Sequence, residues 1–309
     1  MQYSEVIAVV LFIGFISIIY GAEIILLIQY VIAKLRRRPP RKSWKRSLLH
    51  FLSICGIGCF IYGYAIEPYW LDVTTISVET SKLKNTRIRI VHFSDTHCDH
   101  KPYNETQLVS RVNALHPDLI VFTGDTLNTR SALARFKRMM HSLNAPLGKY
   151  AVRGNFDVWY WHSLPLYDDT GFVLLDQDRI HLTKNGEYIS VAGLSCAKSQ
   201  QYQKLLSPLV QSNYNIFLYH YPDLIREVAD FPVDLYLAGH THGGQVALPF
   251  YGAFVTLSIY GKRYESGANQ VGETLLYVNR GIGMEGGKAP RVRFWARPEI
   301  TVFDIMPKK

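Results

Sequence analysis

Cysteine is scarce in this sequence of 309 residues, which contains four. Cys55 and Cys59 lie within an apolar run, while Cys98 and Cys196 stand far apart in the rest of the chain. This spacing provides no disulfide framework and therefore disfavours a small disulfide-stapled protein. Because 48% of the residues are hydrophobic and only 19% are charged, the composition predicts a folded chain with a large core.

Excess positive charge is nearly absent outside one short segment. The formal net charge is +9, but residues 34–46 contain eight basic residues and no acidic residue, which leaves only +1 for the rest of the chain. A nucleic-acid surface requires basic charge on the folded domain itself, since contacts with phosphates supply the affinity. We therefore expect no nucleic-acid partner.

Two long apolar runs lie near the amino terminus. The first extends from Val6 to Ile32 and contains one charged residue, Glu23, to which we assign no function. At 1.5 Å per residue it exceeds the roughly 30 Å hydrocarbon core of a bilayer, and it is too long for a signal peptide. The second run is just long enough to span, with an interfacial helix as the alternative. The predicted organisation is a transmembrane helix at 1–33, a basic loop at 34–47, a second transmembrane or interfacial helix at 48–66, and a folded domain at 67–309.

The basic loop between the two runs predicts their orientation, because Lys and Arg favour the cytoplasmic side and its anionic headgroups. If both runs span, residues 67–309 lie outside the cytoplasm; if the second is interfacial, the same residues stay inside. We expect a protein of the bacterial inner membrane, with the lipid bilayer as a partner, and the sequence leaves the side of the folded domain open.

The folded domain contains a series of short β-rich runs, each followed by polar or glycine-rich residues. Two intervening segments, at 103–116 and 131–143, have helical spacing. The predicted fold class is α/β, with two packed mixed β-sheets flanked by helices. The strand-like runs are 87–95, 117–125, 149–155, 188–195, 214–220, 233–240, 274–281 and 299–305.

Side chains that commonly bind metals stand at the ends of several of these predicted strands. Because a sheet brings the carboxyl ends of parallel strands to one edge, ligands from distant segments can converge there. The candidates are Asp95, His97, Asp125, Asn155, His220, His240 and His242.

The chemistry of this set predicts two divalent ions. Carboxylate, amide and imidazole ligands without a thiolate suit Mn, with Fe, Zn and Co as alternatives. Seven ligands are too many for one ion that keeps an open position, and an aspartate can bridge two ions. Two ions roughly 3.5 to 4 Å apart activate water and clamp a phosphoryl oxygen, which is the chemistry of phosphoester hydrolysis. In GHTHGGQ (residues 239–245), the alternate histidines can each serve a different ion, since the glycines permit a tight bend.

The motifs SDTHCD, GDTLN, GNFD, HYPD and GHTHGGQ resemble, in this order, those of the calcineurin-like metallophosphoesterases, over roughly residues 87–306. Residues 248–267 and 276–301 resemble the membrane-associated bacterial branch that includes the UDP-2,3-diacylglucosamine pyrophosphatases of the lipid A pathway. The resemblance implies that Asp125 bridges the two ions and that Asp157 holds an imidazole or a loop in place. It also implies a first ion held by Asp95, His97 and His242, and a second held by Asn155, His220 and His240.

The sequence departs from this family at Phe156, where most members have a histidine credited with protonating the leaving group. Phenylalanine cannot do this, but a phosphate leaving group needs little protonation. Phe156 therefore favours a diphosphate substrate. Arg153, His162 and His100 are candidates for the missing positive charge, with solvated loop positions as the alternative.

Two further segments carry candidate substrate contacts. The aromatic-rich stretch at 155–167 predicts either core packing or an apolar wall for an acyl chain or a nucleobase. The second segment, 288–297, predicts a phosphate-gripping or membrane-touching edge, or else an ordinary strand border. Its basic residues are Lys288, Arg291, Arg293 and Arg297.

Together these features predict a membrane-anchored dinuclear-metal phosphoesterase that acts on a lipid-linked phosphate or pyrophosphate. By resemblance, the sharpest candidate substrate is UDP-2,3-diacylglucosamine, cleaved to a lipid monophosphate and UMP. A phosphatase or phosphodiesterase of other lipids outside the cytoplasm is the first alternative. A metal-stabilised membrane module without catalysis, suggested by Phe156, is the second.

Overall fold

Two long apolar helices precede an α/β domain in the computed structural model, which describes residues 2–37, 43–285 and 290–308. Within those residues, both long helices have the length and hydropathy to cross a membrane. The α-helices are α1 (Tyr3–Leu35), α2 (Trp44–Ala65), α3 (Glu105–Ala114), α4 (Leu133–His141), α5 (Asn155–Trp159), α6 (Tyr202–Leu206) and α7 (Ile225–Val228).

The domain contains two six-stranded mixed sheets and a small two-stranded ribbon. The first sheet has the order β1-β14-β2-β3-β4-β5, the second has the order β12-β13-β9-β8-β7-β6, and β10 pairs with β11. The strands are β1 (Asp72–Thr80), β2 (Ile88–Phe93), β3 (Leu119–Phe122), β4 (Lys149–Ala151), β5 (Val173–Leu174), β6 (Gln177–Lys184), β7 (Glu187–Leu194), β8 (Tyr214–Tyr219), β9 (Leu235–Ala238), β10 (Ala247–Leu248), β11 (Gly252–Ala253), β12 (Gly267–Val271), β13 (Thr274–Val278) and β14 (Glu299–Pro307).

The central strands are apolar on both faces because each sheet is covered on both sides. In β3, Leu119 and Val121 face the core between the two sheets, whereas Ile120 and Phe122 face the layer of α3 and α4. The outer face of the second sheet packs against α6 and α7. The predicted fold class is confirmed: two mixed sheets, flanked by helices, form a four-layer sandwich.

All eight predicted strand runs form strands, and both predicted helical segments form helices, as α3 and α4. β1 was not among the predicted strands, although the burial of its side chains alternates along the strand. Also absent from the predicted strands are β6 and β12, which form outer strands of the second sheet, and the short strands β5, β10 and β11. Residues 38–42 of the predicted basic loop lie outside the described residues.

The two long helices pack as an antiparallel hairpin. The Tyr20 hydroxyl donates to the Ser53 carbonyl at 3.1 Å. Further along, the Glu23 carboxylate lies 2.8 Å from the His50 ring nitrogen Nδ1. These pairings run in opposite directions along α1 and α2, so the start of α1 and the end of α2 lie at the same end of the hairpin.

That end of the hairpin is attached to the α/β domain by two buried carboxylates. Glu5 of α1 accepts hydrogen bonds from the Thr256 backbone N–H at 2.9 Å and from its hydroxyl at 2.8 Å. Glu67, just after α2, accepts from the backbone N–H groups of Trp295 at 2.9 Å and Ala296 at 2.6 Å. Because both carboxylates are almost fully buried, these contacts fix the domain against the helices.

We expect the protein to lose stability when the Glu67 carboxylate, which accepts from Trp295 and Ala296, is removed. Glu67→Ala leaves two backbone donors without their acceptor, at a cost of about 1–3 kcal/mol in the free energy of unfolding. We expect thermal unfolding of the detergent-solubilised full chain, followed by circular dichroism, to occur at a lower temperature. The control is Glu79→Ala, which removes an exposed carboxylate on β1. Equal unfolding temperatures for the two variants would contradict the attachment described above.

Candidate metal centre

The predicted ligands follow strands whose carboxyl ends meet at one edge of the sandwich. In the first sheet, β2, β3 and β4 are parallel, as are β8 and β9 in the second. The side chains at these strand ends, or on the loops that follow them, are Asp95 and His97 after β2, Asp125 after β3, Asn155 after β4, His220 after β8, and His240 and His242 after β9.

Two groups of these side chains have ligand atoms that all lie within 4.8 Å of one another. The first group is Asp95, His97 and His242, and the second is Asp95, Asp125 and His220. Asp125 also reaches toward the first group, since its Oδ2 lies 3.6 Å from His97 Nε2 and 3.3 Å from His220 Nε2. All these side chains are buried, and they form one cluster.

His240 and Asn155 border this cluster. The His240 ring lies 5.2 Å from the His220 ring, measured between centroids. The His240 backbone N–H donates to both carboxylate oxygens of Asp95, at 3.2 and 3.1 Å. Asn155 Oδ1 is buried and has no hydrogen-bond partner among the described residues. A buried carbonyl oxygen without a donor is expected where a cation completes its coordination.

Backbone strain is concentrated at these positions. Positive φ angles are uncommon for residues other than glycine and persist only where the surrounding structure enforces them. Five of the seven predicted ligands have them: Asp95 at 51°, His97 at 37°, Asp125 at 60°, His240 at 71° and His242 at 53°. The loops therefore hold these side chains in conformations that the backbone alone disfavours.

Glycine allows the loops to approach one another. A Cβ atom placed on Gly124 lies 2.2 Å from the Gly154 backbone nitrogen, and one placed on Gly239 lies 2.2 Å from Asp95 Oδ2. Any side chain at Gly124 or Gly239 displaces a neighbouring loop or ligand. The glycines of the GDT, GNF and GHT motifs are thus required by packing at the site.

The protonation of His220 shows that these residues fit a cation. Its Nδ1 lies 2.7 Å from the Thr123 carbonyl, which can only accept, so Nδ1 carries the hydrogen. In the neutral ring, the lone pair of Nε2 then faces the carboxylates of Asp125 and Asp95, at 3.3 and 3.8 Å. An acceptor that faces two other acceptors in a buried site requires a positive charge between them, whether a proton or a metal ion.

The pKa values of the cluster without a metal ion also indicate that a positive charge is required between His220 and the two carboxylates. Burial opposes the charged form of His220, but the charges of Asp125 and Asp95, together with hydrogen bonds to Asp125 and Thr123, outweigh burial and raise its pKa to about 10. Burial raises the pKa of Asp95 to about 7, with the charge of Asp125 acting in the same direction and that of His220 against it. Without a metal ion, the cluster therefore retains protons where a cation fits.

Asp157 holds the loop that carries Asp125. Its carboxylate accepts from the backbone N–H groups of Asp125 at 2.9 Å, Thr126 at 2.9 Å and Gly154 at 3.0 Å, and from the Thr126 hydroxyl at 2.6 Å. Four donors on one buried carboxylate fix the two loops relative to each other. Asp157 therefore contacts a loop, one of the two roles expected for it, and accepts no hydrogen bond from an imidazole among the described residues.

Phe156 lies directly beside the cluster. Its ring meets the His97 ring edge-on at 4.7 Å, and its backbone N–H donates to Asp125 Oδ1 at 2.8 Å. The rest of the aromatic-rich stretch divides between core and surface. Tyr167 is buried in the core against Phe122, whereas Trp159 and Tyr160 are each 60% exposed. Only the segment near Phe156 thus lies where it can form a wall at the site.

Apart from Arg293, the other basic side chains predicted to contact substrate have no hydrogen bond or ion pair with the seven predicted ligands among the described residues. Arg153 lines a cavity of about 380 Å³ whose described lining includes none of the seven predicted ligands. Arg291 forms an ion pair with Asp99, two residues after His97. His162 is exposed, and it makes no hydrogen bond or ring contact with the cluster within the described part of the chain. His100 is paired with Ser131, since its Nδ1 lies 3.0 Å from the Ser131 hydroxyl.

Arg293 corrects the expectation of an exposed basic edge at 288–297. Its side chain is completely buried and donates to the carbonyls of Gly281, Gly283 and Ala296. One of its terminal nitrogens lies 3.2 Å from His242 Nδ1. This burial is tolerated because backbone carbonyls accept hydrogen bonds from the guanidinium. Since the side chain does not reach the surface, Arg293 is not part of an exposed phosphate-binding edge. Lys288 lies outside the described residues.

Sequence reasoning also missed two supports of the histidines. The Thr123 carbonyl fixes the ring of His220, and the Tyr221 ring meets the His240 ring edge-on at 4.4 Å. A backbone carbonyl carries no signal in the sequence. Tyr221 does stand within the motif HYPD, so its position next to a predicted ligand was available as a signal.

Fold and site together define a metal-dependent phosphoester hydrolase. The family profile of the calcineurin-like phosphoesterases matches residues 88–244, the stretch that contains all seven predicted ligands. The chain belongs to this family, whose members use a dinuclear divalent-metal site.

Three relatives are similar over most of their lengths. The uncharacterized metallophosphoesterase YkuE of Bacillus subtilis is 36% identical, over 79% of this chain and 89% of its own. The UDP-2,3-diacylglucosamine pyrophosphatase LpxG of Chlamydia muridarum is 27% identical, over 79% of this chain and 92% of its own. The phosphodiesterase YaeI of Escherichia coli is 27% identical, over 80% of this chain and 93% of its own.

The central position of Asp125 predicts the effect of neutralising it. Asp125→Asn removes the charge that faces both His97 and His220, and we expect hydrolysis of a soluble phosphodiester in Mn²⁺ to fall by about 10² or more. The metal content of the purified chain should fall as well. The matched control is Asp178→Asn, an exposed carboxylate on β6, which should keep full activity. A folded Asp125→Asn variant with more than about a tenth of the original rate would refute the central role of this carboxylate.

Proposed function

We propose that this chain is a membrane-anchored dinuclear-metal phosphoesterase that hydrolyses a lipid-linked phosphate or pyrophosphate. The observation that carries this proposal is the position of the buried ligand cluster, which lies beside the end of the apolar helix hairpin. In its proposed organisation, residues 1–33 and 48–66 anchor the chain, 34–47 form a basic loop and 67–309 form the catalytic domain.

The distances support the first set in a division of the ligands between two ions, and the second set extends the observed group around His220 to the bordering Asn155 and His240. The first ion is assigned to Asp95, His97 and His242, and the second to Asn155, His220 and His240. Asp125 bridges the two, because its Oδ2 is near one histidine from each set. When bound, such an ion pair supplies a nucleophile derived from water and neutralises charge on the phosphoryl oxygens. Mn²⁺ is the proposed native ion, with Fe, Zn and Co as alternatives.

The chain's own residues position this chemistry. Asp157 fixes the Asp125 loop, and the Thr123 carbonyl orients the His220 ring so that Nε2 points into the cluster. These contacts hold the ligands before substrate arrives, which is the condition for electrostatic stabilisation of a transition state. Phe156 excludes water from one side of His97 and supplies no proton. The side chain at this position therefore suits a leaving group that departs without protonation, such as a phosphate.

Membrane anchoring is supported by α1 and α2. In these helices most large apolar side chains are exposed, including Leu11, Ile18 and Phe51, each more than 60% exposed. The core helix of a soluble protein buries such a face, whereas a bilayer covers it. An anchor holds the active site close to substrates that stay in the membrane.

UDP-2,3-diacylglucosamine is the first candidate substrate. It is supported by the similarity to two chlamydial proteins named LpxG, each 27% identical to this chain over 79% of its length. Hydrolysis of its pyrophosphate releases UMP and a lipid monophosphate, and both products are phosphates.

The helix hairpin favours a second candidate, a phosphatase or phosphodiesterase of other lipids outside the cytoplasm. The domain is attached at the hairpin end opposite the basic loop. With that loop on the cytoplasmic side, a domain at the other end lies outside the cytoplasm. A nucleotide-activated lipid is made inside, so this placement points to a different lipid headgroup.

Two measurements on the full chain separate these candidates. The purified protein with Mn²⁺ is assayed against UDP-2,3-diacylglucosamine, a lipid monophosphate and a lipid pyrophosphate without a nucleotide. A reporter fused after Lys309 locates the domain. Cleavage of the nucleotide lipid together with a cytoplasmic reporter supports the first candidate; cleavage of the other lipids together with an external reporter supports the second. A metal-loaded protein that hydrolyses none of them overturns the proposal in favour of a non-catalytic module.

Phe156 provides a further prediction. Phe156→His restores the imidazole usual in the family and should accelerate hydrolysis of alkyl monoesters, typically by 10² or more for a well-placed acid. Pyrophosphate cleavage should stay unchanged or become slower, because a phosphate leaves without help. Tyr160→His, which adds an imidazole at a neighbouring exposed position, controls for the extra ring. The measurement is kcat/KM of each variant on alkyl monoesters and on pyrophosphates. A large increase in kcat/KM of Phe156→His on pyrophosphates would contradict the idea that their leaving group needs no protonation.

A further inference from the structure

Large apolar side chains are exposed on two segments of the domain next to the helix hairpin. We name them the apolar rim: Phe250, Leu257, Ile259 and Trp295. Phe250 is fully exposed, Ile259 is 66% exposed and Trp295 is 64% exposed. Exposed apolar side chains clustered on one face mark a surface that meets another apolar phase.

The rim belongs to the same segments that hold the helices. Ile259 accepts a hydrogen bond at its carbonyl from the Gln2 side chain of the α1 cap, at 2.8 Å. The Phe254 ring, near the ribbon turn that carries Phe250, lies 4.6 Å from Phe12 of α1. On the other segment, Trp295 donates its backbone N–H to Glu67. The rim is therefore fixed relative to the spans.

The length of α2 sets the depth of the rim. The apolar run at 48–66 measures about 28 Å at 1.5 Å per residue, so all of it must be embedded to cross a core of roughly 30 Å. The domain contacts α2 inside that run: Arg293 donates its backbone N–H to the Gly63 carbonyl, and the Phe294 ring lies 6.0 Å from the Tyr62 ring. Tyr62 is four residues from the end of the run, or about 6 Å. Phe294, and Trp295 beside it, thus lie at the boundary between headgroups and hydrocarbon.

Backbone conformation and charge are consistent with this placement. Phe250, Leu257 and Trp295 have positive φ angles of 66°, 58° and 59°, which are unfavourable for large side chains. The fold thus retains strained positions that expose apolar groups. Lys262 and Arg263, which follow Ile259 closely in the chain, are also exposed. Cations at the depth of the headgroups are attracted to anionic lipids.

The rim also adjoins the ligand cluster. The Leu257 carbonyl lies 3.4 Å from His240 Nε2. Arg293 connects both sides, since its backbone bonds to α2 and its side chain lies 3.2 Å from His242. A phosphate group at the height of the lipid headgroups is therefore close to the cluster while its acyl chains remain in the bilayer.

We propose that the apolar rim inserts into the boundary layer of the bilayer, so that the substrate is a membrane lipid whose phosphate reaches the site laterally without leaving the membrane. This inference rests on the membrane anchoring proposed above and specifies the partner surface as the lipid headgroup layer.

The test measures depth in the full chain, reconstituted into vesicles of phosphatidylcholine and phosphatidylglycerol. Cys55 and Cys59 are replaced by Ser, and a nitroxide is attached at Phe250→Cys or, separately, at Ile259→Cys. The control is Tyr188→Cys, an exposed position at the start of β7. Since β7 runs parallel to β8, whose far end precedes His220, Tyr188 lies at the sheet edge opposite the cluster.

Accessibility to oxygen, which concentrates in lipid, is compared with accessibility to a water-soluble nickel chelate. We expect both rim labels to be at least several-fold more accessible to oxygen than to nickel, and the label at 188 to show the reverse. Nickel accessibility at either rim position equal to that at 188 would overturn the inference. The readout does not depend on catalysis. Lipid-embedded labels on an inactive protein would refute the proposed function and leave only the insertion of the rim standing, whereas water-exposed labels on an active enzyme would refute this inference alone.

Discussion

The structure depends on two carboxylates of like charge that are buried close together. Asp95 and Asp125 are buried together at the edge of two sheets, and both face His220 at 3.8 Å or less. Burial opposes the charge of both carboxylates, so a cation between them allows both to be ionised. In the metal-free chain, protons take that role, which is why the pKa of His220 rises to about 10.

The rest of the domain holds these charges together. Parallel strands of both sheets deliver the ligand loops to one edge, and positive φ angles at five predicted ligands show that the loops are held against their own preference. Asp157 accepts three hydrogen bonds from the Asp125 loop, while buried Arg293 packs beside His242. The contacts from Arg293 to Gly63 and from Leu257 to His240 place the same cluster next to the proposed membrane surface.

The sequence allowed the fold class and the meeting of the ligands to be predicted, because apolar strands end in metal-binding residue types within recognisable motifs. The assignment of each ligand to one ion stays a prediction. Arg293 could not be placed from the sequence, since a basic residue in a basic stretch is usually exposed. Its burial depends on how the chain folds to turn the carbonyls of Gly281, Gly283 and Ala296 toward the guanidinium. The missed strand β1 pairs with β14 across more than two hundred residues, a pairing that local patterns do not encode. The attachment of the hairpin by Glu5 and Glu67 is equally long-range.

The proposed role of Asp125 is to join two metal ions in one buried centre. The full chain is loaded with Mn²⁺, the bound ions are counted by elemental analysis, and the electron paramagnetic resonance spectrum is recorded. We expect two ions per chain with an exchange-coupled spectrum, since the ions of such a centre lie roughly 3.5 to 4 Å apart. One ion per chain, or two ions with the spectrum of isolated Mn²⁺, would contradict this role.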